Sequence, residues 1–152
     1  MSDLRNDVGF LLTRASGLVV RATNAALSDL GLRVRQYSVL ALADDSGEGI
    51  AQRDLAEELG LDPSQVVALV DELAAAGLVE RRPSPTDRRP RLVVATPQGT
   101  QVRRRAASSA EGGVQRQMGD LSGEEQATLR GLLQRVVGGS VGRCRAGGEL
   151  TE

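Results

Sequence analysis

The sequence predicts a mainly α-helical chain with one small β-hairpin, a winged helix-turn-helix flanked by helical arms. Three observations predict it. A short helical pattern over 52–59 is followed by Gly60 and then by a longer, capped helical pattern over 62–76. Two short segments that read as strands, 78–82 and 91–95, bracket a stretch rich in Arg and Pro, which is the pattern of a hairpin with a long tip. Apolar residues at helical spacing run through 3–28 and again through 121–137, outside that head.

The first arm is predicted as one helix over 3–28. Leu4, Val8, Leu11, Ala15, Leu18, Ala22 and Ala25 alternate spacings of four and three, so they share one stripe. Residues 28–31 end it, and a short helix covers 35–43 with Tyr37 and Leu40 inward. Residues 44–49, all Asp, Ser, Gly or Glu, read as a loop. Gly60 fits the left-handed position just past a helix end. Asp62 suits the next N-cap because its carboxylate can accept an orphan N–H, and Pro63 suits the first helical position, where no N–H is needed. Gln65, three residues after Asp62, completes a capping-box pattern. Val66, Leu69, Val70 and Leu73 then face the core, and Gly77 closes the helix. After the hairpin, Thr96-Pro97 repeats the cap-then-Pro signal, and the helix over 97–118 is interrupted at Gly112-Gly113. Ser122 and Glu125 form a second capping box ahead of a stripe of Leu129, Leu132, Leu133, Val136 and Val137. The expected organisation is a single winged-helix domain over 1–137. Its reading head is about 35–96, its arms about 3–28 and 97–137, and a Gly-rich flexible tail takes 138–152.

Composition narrows the function. The chain has 152 residues and a net charge of −1, so it is no polybasic binder as a whole. Charge is nevertheless segregated: residues 81–105 hold eight Arg against the single acid Asp87. Phe10 and Tyr37 are the only aromatics, so the core must be built from Leu, Val and Ala. Without His, imidazole metal sites, triads and pH sensing are unavailable. No Gly-rich phosphate loop is present, and Glu57-Glu58 and Glu124-Glu125 read as solvated helix faces; nothing predicts an enzyme or a cofactor. No stretch approaches the ~18 apolar residues of a membrane span, and the N-terminus lacks a secretion signal, so a cytoplasmic protein is expected.

The head carries the functional signal. A major groove about 12 Å wide admits one α-helix, and side chains near that helix's N-terminus reach base edges. Ser64 and Gln65 are the short polar residues so placed, although an ordinary capped helix also begins with such residues. Arg88 and Arg89 sit at the predicted hairpin tip, from which an Arg can enter a minor groove, and Asp87 can fix an Arg by pairing with it. The alternative is a solvated charged loop. Arg14 lies within the apolar run LLTRASGLVV, where a buried guanidinium would need an anion, and its planar fork suits a carboxylate. An exposed or acid-paired Arg14 is the alternative.

These segments resemble the MarR family of bacterial transcription regulators. The likeness is carried by RQYSVLALA (35–43), by 51–99 with its LDPSQVVALVDEL, GLVERR and DRR motifs, and by LSGEEQATLRGLLQRVV (121–137). It implies a homodimer whose terminal helices interlock and whose two heads read a pseudo-palindromic DNA operator. It further implies that Ser64 and Gln65 read bases, that Gln52 and Arg53 contact phosphates, and that Arg89, flanked by Arg88 and oriented by Asp87, enters the minor groove. Pro90 departs from the small residue common there and stiffens the wing. Residues 8–40 are similar to actinobacterial members that sense aromatic acids such as protocatechuate. That likeness implies a small phenolic or aromatic carboxylate held by Arg14, with Arg21 and Tyr37 as further contacts. The expected function is therefore a ligand-responsive repressor. Two alternatives stand beside it: a thiol redox sensor acting through Cys144, and a ligand-binding protein without DNA affinity.

Overall fold

A computed structural model describes residues 3–86 and 91–145. The chain divides into two compact units, one running to Gln117 and one from Met118.

In the first unit, a 3₁₀ turn at Leu4–Asn6 precedes helix α1, Val8–Leu27. The single helix expected over 3–28 is thus broken near its start. Asp7 is the reason: its extended backbone ends the turn, and its carboxylate accepts the Phe10 N–H at 2.8 Å as an N-cap. A second turn, Ser28–Leu30, leads to α2, Val34–Asp45, whose first turn is held from α1 by Asn24, the Oδ1 of which accepts the Val34 N–H at 2.8 Å. Helix α2 runs two residues into the expected loop.

Strand β1, Ile50–Ala51, joins directly to α3, Gln52–Leu59. Gly60, at φ 61, takes the left-handed position and returns its N–H to the last turn of α3. Helix α4, Pro63–Ala75, begins as predicted, with Asp62 and Gln65 capping each other. Strands β2, Val79–Pro83, and β3, Arg91–Ala95, form the hairpin, with Val79 opposite Ala95 and Pro83 opposite Arg91. The sheet has three strands rather than the hairpin's two: β1 pairs on the far edge of β3, Ile50 opposite Val93, giving the order β1-β3-β2. Gly49 permits this approach, since a Cβ there would lie 2.8 Å from the side chains of Leu92 and Val94.

Helix α5, Pro97–Met118, starts where Thr96 Oγ1 accepts the Gly99 N–H at 3.0 Å. It passes through Gly112 and Gly113 as one helix, against the interruption expected there. Gly113 is a packing position: a Cβ on it would come within 2.9 Å of the Thr23 backbone on α1. The close contact between helices offsets the ~1 kcal/mol that Gly costs a helix interior.

The core is aliphatic. Leu27, Val39, Leu40, Leu55, Val66, Val70, Leu73 and Val93 are fully buried, each side chain stabilising the fold by about 1.5–3 kcal/mol. It joins α1, α2, α3, α4 and the sheet, so α3 and α4 are fixed on one support.

The second unit is α6, Gly123–Arg145, opened by the predicted capping box: the Ser122 N–H donates to Glu125 Oε2 at 2.8 Å and the Glu125 N–H to Ser122 Oγ at 3.2 Å. The flexible tail expected from Gly138 is helical through Arg145. Propagating a formed helix gains one hydrogen bond per residue, which favours continuation even through glycines. Among the described residues, no helix is long and apolar enough to cross a membrane.

Candidate nucleic-acid interface

Ser64 and Gln65 stand exposed on the first turn of α4, while Val66, Val70 and Leu73 hold the opposite face in the core. One side of the helix is thus clamped and the other bears Ser64, Gln65, Val67, Ala68 and Asp71. The Asp62 N–H donates to Gln65 Oε1 at 3.1 Å, which engages the carbonyl end of that amide and leaves its N–H groups as donors.

Two acids on α4 would repel phosphate, and both are engaged. Asp71 accepts from Arg81 Nη2 at 2.6 Å, and Glu72 accepts from Gln36 Nε2 at 2.6 Å. Arg81 also donates through Nε to Gln52 Oε1 at 2.8 Å. One guanidinium on β2 therefore joins the first residue of α3 to the middle of α4. Sequence reasoning placed Gln52 at the interface but missed Arg81, because the contact spans 29 residues and leaves no local pattern. Arg53, next to Gln52, is 90% exposed and among the described residues meets only Asp54, at 3.8 Å, so its charge is available to solvent. Along the wing, Arg82 pairs with Glu80. Asp87, Arg88 and Arg89 lie outside the described residues.

Helices α2 and α5 are joined by a polar clasp. Thr100 Oγ1 donates to Asp44 Oδ1 at 2.6 Å, and Arg103 Nη2 to Asp45 Oδ1 at 2.8 Å.

Arg14 and Arg21 are both exposed on α1, so within one copy Arg14 takes the exposed alternative. The run is itself largely exposed: Leu11 is 48% and Leu12 43% accessible, and Val20 is also open. A helix buried only at its C-terminal end, at Thr23 and Leu27, gives its first turns no apolar surroundings. Tyr37 is half-buried against the core. A cleft of about 850 Å³ opens between α1, the start of α2 and α4, lined by Val20, Asn24, Arg33, Arg35, Leu69 and Glu72 among others. Arg14, Arg21 and Tyr37 do not line it. Among the described residues, no group of His, Cys, Asp and Glu is placed to hold a metal ion.

Comparison with known proteins places this architecture. The model of the MarR family matches residues 30–90. A relative from Thauera aromatica, described as a putative transcriptional regulatory protein for the hcr operon, is 33% identical over 138 residues, covering 88% of this chain and 80% of the relative. The crystal structure of CouR from Rhodococcus jostii RHA1, bound to p-coumaroyl-CoA, superimposes with a TM-score of 0.83 at 43% identity, covering 90% of this chain and 96% of that one. A single-site mutant of Escherichia coli MarR, complexed with operator DNA, gives a TM-score of 0.76 at 29% identity, over 89% of this chain and 99% of the other. The winged helix-turn-helix, its exposed α4 and these likenesses together show that the chain belongs to the MarR family of transcription regulators.

Proposed function

We propose that the chain is a homodimeric repressor that binds a pseudo-palindromic DNA operator and leaves it when an aromatic acid, or an activated derivative of one, binds. The observation that carries the DNA half is α4. Its first turn presents Ser64 and Gln65 to solvent, its acids are engaged by Arg81 and Gln36, and the strongly basic wing follows. In this reading Ser64 and Gln65 meet base edges and Gln52 and Arg53 meet phosphates. Arg89, with Arg88 and Asp87, extends contact into the minor groove. The operator complex of the Escherichia coli relative supports it. Such a regulator works where the chromosome is, in the cytoplasm.

The dimer rests on the exposed aliphatic residues of both units. Val8, Leu11 and Leu12 on α1 and Leu132, Val136 and Val137 on α6 make apolar surface that a second copy would remove from water. Burial of the α1 face on dimerisation would also surround Arg14 with apolar atoms. Its guanidinium could then pair bidentately with a ligand carboxylate, with Arg21 on the same helix and Tyr37 on α2 as further contacts. An aromatic ligand is supported by the p-coumaroyl-CoA complex of CouR, whose thioester has no free carboxylate, so the Arg14 pairing concerns the free acid. Binding can shift occupancy only through differential affinity for the DNA-competent and DNA-incompetent states.

The test is fluorescence anisotropy on a duplex from upstream of the chain's own gene, at fixed salt, titrated with protocatechuate and separately with p-coumaroyl-CoA. Tight binding released by either compound is the expected result. Release that Arg14→Ala abolishes, with DNA affinity unchanged, would assign the ligand to Arg14. Binding indifferent to both compounds would remove the aromatic ligand from the account.

A further inference from the structure

We propose that Arg81 is a positioning residue for operator binding, acting through Gln52. This inference rests on the operator-binding reading. A guanidinium has donors and no acceptor, so the end of the Gln52 amide that Arg81 Nε meets at 2.8 Å is necessarily the carbonyl oxygen. The Gln52 N–H groups are thereby turned away from Arg81, at the first residue of α3 and beside the exposed Arg53, where a phosphate oxygen can accept from them. The other end of the same guanidinium holds Asp71 at 2.6 Å and screens a carboxylate on the reading face. Arg81 is only 24% exposed and spends its Nε and one Nη2 donor on these two partners, which places it behind Gln52 rather than on the DNA.

The competing role is a plain fold staple between β2, α3 and α4. A double-mutant cycle in duplex affinity separates the two. Arg81→Met keeps chain length and removes every donor. Its loss of Asp71 screening is the same whether or not Gln52 is present, so only the orienting effect depends on Gln52. On the duplex from upstream of the chain's own gene, Arg81→Met should weaken binding about tenfold or more. In the Gln52→Ala background the same change should cost severalfold less. The slope of log affinity against log salt should stay at the wild-type value, because Arg81 releases no phosphate counterion. Equal costs in the two backgrounds would overturn the proposal. So would a slope reduced by about 0.9, which would make Arg81 a phosphate contact.

Gln52→Glu tests the same idea with Arg81 intact. A carboxylate accepts from Arg81 at least as well as the amide. The staple survives and the melting temperature should not fall, yet the outward donors are gone and duplex binding should drop tenfold or more. Wild-type affinity in that variant would overturn the proposal. Absence of wild-type duplex binding would overturn the operator reading and this inference together; binding with additive variants would overturn this inference alone.

Discussion

Ser64 and Gln65 are prominent at the start of α4 because the acids further along the helix are already engaged and the core face is already full. Each side chain at the interface should have its own signature in binding. Arg53→Ala should weaken all duplexes alike and lower the slope of log affinity against log salt by about 0.9, the mark of one lost phosphate contact. Gln65→Ala should leave that slope alone and cost about 1 kcal/mol on the preferred duplex, the worth of one net hydrogen bond, which competition against random-sequence DNA would reveal. The contrast is sharp because Gln65 carries no charge. Residue-level legibility followed sequence distance. Asp62, Gln65, Ser122 and Glu125 were readable because a cap and its partner lie within one turn. Arg81 was not, because its partners Gln52 and Asp71 come from other elements. Whether Arg14 is covered was not legible, because an apolar neighbourhood in sequence is not one in space until something covers it.

At the scale of elements, the bounds of α2 to α5 and of the wing strands were predicted to within two residues, since Pro, Gly and capping residues punctuate them, whereas α1 starts five residues later than expected and α6 runs eight residues further. Asp62→Ala should destabilise the fold by about 1 kcal/mol, seen as a lower urea midpoint with an unchanged m-value. Two features had no readable signal. Strand β1 is two residues long, too short to show a period of two, and exists because β3 offers an edge. Gly113 read as a helix breaker because propensity is all that a sequence window shows, whereas its use is the close approach of α1. Gly113→Val should therefore lower the melting temperature through overpacking by about 1–3 kcal/mol, although Val is the better helix former. A stabilised Gly113→Val protein would mean that α1 and α5 can separate at no cost.

At the scale of the whole molecule, one copy leaves much aliphatic surface in water, on α1 in the first unit and on α6 in the second. Placing a charge in that surface tests what covers it. Val136→Glu should convert a dimer into a monomer in sedimentation velocity, with duplex affinity falling as the second head is lost. A wild-type protein that sediments as a monomer would leave Val136, which is 62% exposed, without a partner. Two heads related by a two-fold axis should contact half-sites one helical turn, about 34 Å, apart. The most direct measurement is therefore a DNase footprint of the region upstream of the chain's own gene, at two salt concentrations. The account predicts two protected half-sites spaced by about one turn, fading together as salt rises. No protected sequence at either salt would contradict it.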